Sequence, residues 1–269
     1  MKQQTAALIV LILMVCTAFA CHEYYSSVYL PREKIDKSAD KQSELFDKIR
    51  PDIDLVLKES DDPSDISAPD ESTLSSEEKS VPDLLASCCD FNNDTAAWIY
   101  IPGTNIDYPV MQTDNNDFYL HNGADRQYNY ELGCPFLDYR CNKDFSGLNS
   151  IVYGHHMEKQ LMFADVVKYE DEAFMTDHQT GYLVLDTGVH TVRFFAYVKT
   201  SSTSALYHVS IITKKDRSDY LDLLFLSAKY TQGLTIDKLK ANDDLHLLLL
   251  STCTFESDEA RGILVGVIE

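Results

Sequence analysis

The chain has 269 residues, 45% of them hydrophobic and 11% aromatic, which suits one globular domain with extensions and excludes a chain disordered throughout. Its formal net charge of -20, with no cluster of Lys and Arg, excludes nucleic acid and an anionic membrane surface as binding partners.

Lys2 precedes an uncharged run at 5–21, TAALIVLILMVCTAFAC, which at ~17 residues sits at the lower limit for a membrane-spanning helix. Three readings of it stay open. It is an uncleaved signal anchor, a signal peptide cleaved after the small-x-small tripeptide Ala18-Phe19-Ala20, or, less well matched, a lipoprotein site at Cys21. Each places residues 22–269 outside the cytoplasm. Residues 32–50 read as a helix with sparse apolar positions at Ile35, Leu45, Phe46 and Ile49. In 51–80 ten acids face only Lys58 and Lys79, among Ser, Pro and few large apolar residues. Such a segment cannot bury enough surface to offset its ordering entropy, so it reads as a solvated spacer. The division that follows is a membrane segment at 1–21, a helical stalk and acidic linker at 22–80, and a globular domain at 81–269.

Within that domain short β-type runs dominate, at 98–101, 106–110, 133–137, 150–153, 182–186, 191–198, 245–252 and 262–268. Pro102-Gly103 separates the first two, and Thr187-Gly188 joins a hairpin. Eight short strands in one domain predict a mainly β fold, a barrel or a sandwich. The clearest helix is 218–230, where Leu221, Leu224, Phe225 and Ala228 fall on one face and Ser218 is placed to cap the start.

The last two strands carry the chemistry. The run 245–250 is apolar except for His246, which suits a strand buried on both faces, and Cys253 lies where it emerges. Arg261 lies where the next strand enters. If the two pair antiparallel across 254–260, thiol and guanidinium reach the same rim, where a thiolate attacking a carbonyl forms an oxyanion and a fixed cationic fork stabilises it. Taken alone, Cys253 is better read as an inert core cysteine, because free Cys is among the most buried residue types. Of the other six cysteines, Cys134 and Cys141 are close enough in sequence for a local bridge that nothing requires, and no Cys-x-x-Cys pair supports structural zinc. A cysteine nucleophile needs a proton partner, normally His. His155 and His156 in IVYGHHM stand just past the end of a strand, although by spacing alone a solvated loop is the better account of either. Adjacent histidines on an extended chain point to opposite faces and are ill suited to share a metal ion.

These stretches resemble a class B sortase. WIYIPGTNIDYPVMQ at 98–112, NNDFYL at 115–120, GCPFLDYR at 133–140, IVYGHHM with Met162-Phe163, and LSTC with Arg261 eight residues later occur in the family's order over 98–265. The resemblance implies an eight-stranded sortase-type β-barrel with N-terminal helices and a helix inserted before the LSTC strand. It assigns catalysis to His155, Cys253 and Arg261, and the substrate groove to Asn116, Leu120, Tyr153, Ser251, Thr203 and Tyr207. It further implies transpeptidation without metal or organic cofactor. A sorting-signal peptide of a secreted surface protein, LPxTG- or NPxTN-like, is cleaved after Thr, held as a thioester and joined to an amine of a cell-wall precursor. The enzyme would be a single-pass membrane protein, tethered through its N-terminal segment, with an extracytoplasmic catalytic domain. Two features depart from the pattern: Leu249 before LSTC, and Lys159-Gln160-Leu161 where a Gly commonly precedes Met-Phe. A papain-type cell-wall peptidase is the alternative enzyme, although its Cys precedes its His in the chain. An inactive peptide-binding barrel is the alternative without chemistry.

Overall fold

The structure, a computed structural model, describes residues 2–60, 84–129, 132–157, 160–254 and 259–269. It separates into two compact units, Met1–Leu45 and Phe46–Glu269. In the first, helix α1, Lys2–Tyr24, passes through a π-helical turn, Tyr25–Tyr29, into α2, Leu30–Ile49. The helix expected at 32–50 is therefore present. The expected membrane span is not supported: among the described residues no helix is long and apolar enough to cross a membrane. The uncharged run stands at the lower length limit and gives way at once to His22 and Glu23.

The second unit begins at Phe46, earlier than the domain start expected near Val81. Phe46, Ile49 and Ile53 recur at a helical spacing and are all buried. The Phe46 ring stands edge-on to Trp98 and Tyr108, with centroids 6.2 and 5.8 Å away. Arg50 Nε donates to Asp107 Oδ2 at 2.7 Å. The following helix α3, Ile53–Ser60, occupies the start of the stretch expected to be spacer. The rest of that stretch, with residues up to 83, lies outside the described residues.

After α4, Ala86–Phe91, the described residues form nine strands: β1 Thr95–Tyr100, β2 Asp107–Met111, β3 Phe136–Leu137, β4 Asn149–Tyr153, β5 Thr180–Leu185, β6 Gly188–Ser201, β7 Ala228–Thr231, β8 His246–Cys253 and β9 Ala260–Ile268. Their order is β5-β1-β2-β3-β4-β8-β9-β6-β7, and β5 also pairs with β6. Eight strands therefore close into a barrel, and β7 is an extra strand on the outside of β6. Pairing is antiparallel except for β2 with β3 and β4 with β8. The apolar run of β8 is explained by its two faces. Leu248 and Leu250 fill the barrel interior with Ile99, Phe163 and Phe194, while Leu247 and Leu249 face a second core. Helices α5, Lys214–Ser227, and α6, Ile236–Ala241, supply Leu221, Leu224 and Leu239 to that core.

The inserted helix differs from expectation at both ends. It starts earlier, because Thr213 accepts from the Asp216 amide and the Asp216 carboxylate accepts from the Thr213 amide, a reciprocal cap that leaves Ser218 inside the helix. It stops at Ser227, where Ala228 turns extended and Tyr230 pairs with Tyr197 on β6. A helical spacing of apolar residues cannot foretell that a neighbouring strand will take its last turn.

Candidate active site

Strand β8 pairs in parallel with β4, which sets Tyr153 beside Ser251, and antiparallel with β9, which sets Cys253 opposite Arg261. The amide of Thr254 donates to the Ala260 carbonyl at 3.0 Å and holds the ladder at its end. Where the chain leaves β4, the Gly154 amide donates to the Ser251 carbonyl at 3.1 Å and the Thr252 hydroxyl donates to the Gly154 carbonyl at 2.8 Å. These bonds bring His155 to the rim already occupied by Cys253. Gly154 is required by volume, since a Cβ there would lie 2.5 Å from Cγ of the buried Phe163 ring.

His155 Nε2 lies 2.8 Å from the Leu120 carbonyl. A carbonyl only accepts, so Nε2 carries a hydrogen in either charge state and Nδ1 is the nitrogen that gains or loses the proton. His156 Nδ1 lies 3.2 Å from the Cys253 carbonyl, and burial holds its pKa below the ordinary imidazole value. Cys253 is exposed, which overturns the inert core reading of that residue. Cys88 and Cys134 are buried by contrast, and burial pushes the half-buried Cys141 thiol up to about 11. Cys134 and Cys141 are both free thiols, near the carbonyls of Pro109 and Asn149 respectively. Among the described residues, no group of three or more His, Cys, Asp and Glu side chains is placed to hold a metal ion.

His155, Cys253 and Arg261 line one cavity of about 800 Å³. Asn116, Leu120, Tyr153, Thr203, Tyr207 and Ser251 line the same cavity, so all nine residues singled out from the sequence converge. The Tyr207 and Ser251 hydroxyls are 2.8 Å apart, and burial raises the Tyr207 pKa. The Tyr153 ring lies between Phe136 and Tyr207, with centroids 5.4 and 5.9 Å away. Its hydroxyl donates to Asp138 Oδ2 at 3.0 Å, and burial, reinforced by that carboxylate, raises its pKa. Asn116 Oδ1 accepts from the Tyr139 amide at 3.0 Å, which fixes the loop carrying it.

Arg140, another lining residue, was not singled out from the sequence, and neither was Asp138 behind it. The available signal was Asp-x-Arg inside GCPFLDYR, where the Asp138 side chain accepts from the Arg140 amide at 3.0 Å as in an Asx turn. Asp117, Ser202 and His208 also reach the cavity, from loops whose sequence has no periodic pattern.

Fold and site together define a closed-barrel protein that presents an exposed thiol, an imidazole and a guanidinium in one groove. No family model matches the chain. A sortase B of Listeria monocytogenes is 32% identical to it over 185 residues, which cover 69% of this chain and 73% of that protein. A sortase B of Staphylococcus aureus is 26% identical over 176 residues, covering 65% and 70%. The crystal structure of Clostridium perfringens sortase B superposes with a TM-score of 0.61 at 26% identity, covering 68% of this chain and 97% of that one. The chain belongs to the sortase B family.

Proposed function

We propose that the protein is a cysteine transpeptidase acting on the sorting signal of secreted surface proteins. In this reading the Cys253 thiolate attacks the carbonyl of Thr in an LPxTG- or NPxTN-like peptide. The oxyanion that forms is stabilised by Arg261, and His155, charged through Nδ1, protonates the leaving amine. The acyl group is then held as a thioester on Cys253. An amine of a cell-wall precursor attacks it, neutral His155 takes the proton, and the surface protein is joined covalently to the acceptor. The domain works outside the cytoplasm, in keeping with the signal-type run at 5–21. One observation carries the reading: Cys253 stands directly opposite Arg261 on β8 and β9, and His155 lines the same cavity.

The test uses the full-length chain with a panel of sorting peptides, with and without an amine acceptor, analysed by mass spectrometry. A thioester on Cys253 and a transfer product are expected. Cys253→Ala abolishes both, and Arg261→Ala slows acylation by about 10²–10³-fold, the usual loss for a removed oxyanion donor. Hydrolysis that persists with no transfer to any acceptor would favour a peptidase. No adduct from folded protein with any peptide would sink the proposal.

A further inference from the structure

Arg140 is a second guanidinium in the cavity, and the reaction above gives it no task. Its Nε donates to Asp138 Oδ1 at 2.9 Å and its Nη2 to Asp138 Oδ2 at 2.6 Å, a two-bond fork that fixes its plane. Nη2 also donates to the Tyr207 carbonyl at 3.2 Å. Asp138 has no exposed side-chain surface, whereas the Arg140 side chain is 39% exposed. Nη1 takes part in none of these bonds, although the residue lines the cavity. The site is remote from the thiol along the sheet. Tyr153, which donates to Asp138, pairs with Ser251, two residues and so about 7 Å of strand before Cys253.

Because a buried carboxylate balances its charge, this guanidinium offers oriented N–H donors with little net field. Such a donor suits an uncharged oxygen better than a free carboxylate. We propose that Arg140 binds the peptide in the groove by donating from Nη1 to an uncharged oxygen, a carbonyl, amide or hydroxyl, and that Asp138 is the residue that positions it. The inference rests on the peptide-transfer reading of the same cavity. A merely structural ion pair would alter stability and leave KM per folded molecule unchanged.

The experiment measures KM and kcat for sorting-peptide cleavage with full-length wild type, Arg140→Lys, Arg140→Gln and Asp138→Asn, each normalised to its folded fraction. Lys keeps the charge and loses the fork, so it is both the milder change and the sharper test. KM is expected to rise about tenfold in both Arg140 variants, the loss of one hydrogen bond to a charged donor, with kcat little changed. Asp138→Asn should raise KM less. Wild-type KM should stay flat as salt increases, because the partner carries no charge. Unchanged KM in folded Arg140→Lys and Arg140→Gln would overturn the proposal, and a KM that climbs with salt would overturn the uncharged partner. Binding of the same peptides to Cys253→Ala, with and without Arg140→Lys, needs no chemistry. Weaker binding with Lys supports the inference even if wild type forms no thioester; equal binding overturns the inference alone; and no binding to Cys253→Ala overturns both it and the peptide groove.

Discussion

Asp138 shows how one residue ties stability to the groove. Burial opposes its ionisation, but the Arg140 fork, the Arg140 amide and the Asn116 side chain outweigh burial and hold its pKa below the ordinary carboxylate value. A depressed carboxylate contributes stability that is fully present above its unfolded pKa of about 3.9 and is lost as pH falls through the folded value. Asp138→Asn should therefore cost about 2 kcal/mol at pH 7, a hydrogen-bonded charge being removed. That difference from wild type should hold down to about pH 4 and shrink below it. Urea unfolding at a series of pH values checks this. A difference independent of pH down to pH 2 would show that the carboxylate is not the ionised partner assumed here.

At the scale of elements, the decisive joint is the one between the end of β4 and β8. The chain after Tyr153 has no strand of its own to follow, so its direction comes from Thr252, Ser251 and the close approach of Gly154 to Phe163. The backbone then folds back: the Phe163 amide donates to the His155 carbonyl at 2.9 Å, and Gln160 and Met162 adopt positive φ of 59° and 54°. Gln160 falls in the segment where the resembling family commonly has Gly, and its left-handed backbone shows why Gly suits that loop. Gly154→Ala tests the joint. The added methyl forces apart a packed ring and the His155 backbone, at a cost of roughly 1–3 kcal/mol. Because the shift occurs at the histidine, the thioester formation proposed for Cys253 should fall further than stability does. Calorimetry and single-turnover acylation measure the two, and a variant with wild-type acylation would show that the packing does not set the His155 position.

At the scale of the whole molecule, the closed barrel gives each strand a partner on both sides, and the body is completed from the N-terminal side by residues 46–60. Phe46, Ile49 and Ile53 are buried in the second unit, and full burial of each such side chain stabilises by about 1.5–3 kcal/mol. The Cys88 thiol also reaches back, its Sγ 2.9 Å from the Ile49 carbonyl. A chain cut to residues 81–269 is therefore expected to melt at least 10 °C below one of residues 46–269, since three such side chains are lost against the ordering of a short segment. Equal melting temperatures would show that residues 46–60 add nothing to the body.

The sequence by itself determined most of the strands, because alternation and turn residues are local, and it placed LSTC, Tyr-Gly-His and the late Arg261 at strand ends, from which the three residues proposed to react line one cavity. Seven of the eight expected strands overlap substantially with observed ones, and 133–137 shrinks to Phe136–Leu137. Three matters were decided only in the tertiary structure. Residues 228–231 became a strand because β6 offered an open edge there. Phe46 to Ile53 joined the body because Trp98 and Tyr108 offered aromatic faces that a reading of local charge does not see. Arg140 became part of the groove because Asp138, itself held by the Tyr153 hydroxyl, and the Tyr207 carbonyl fix it from separate segments of the chain. Local pattern records what each residue prefers, whereas burial and side-chain pairing depend on partners far along the chain, and these exist only once the barrel has closed.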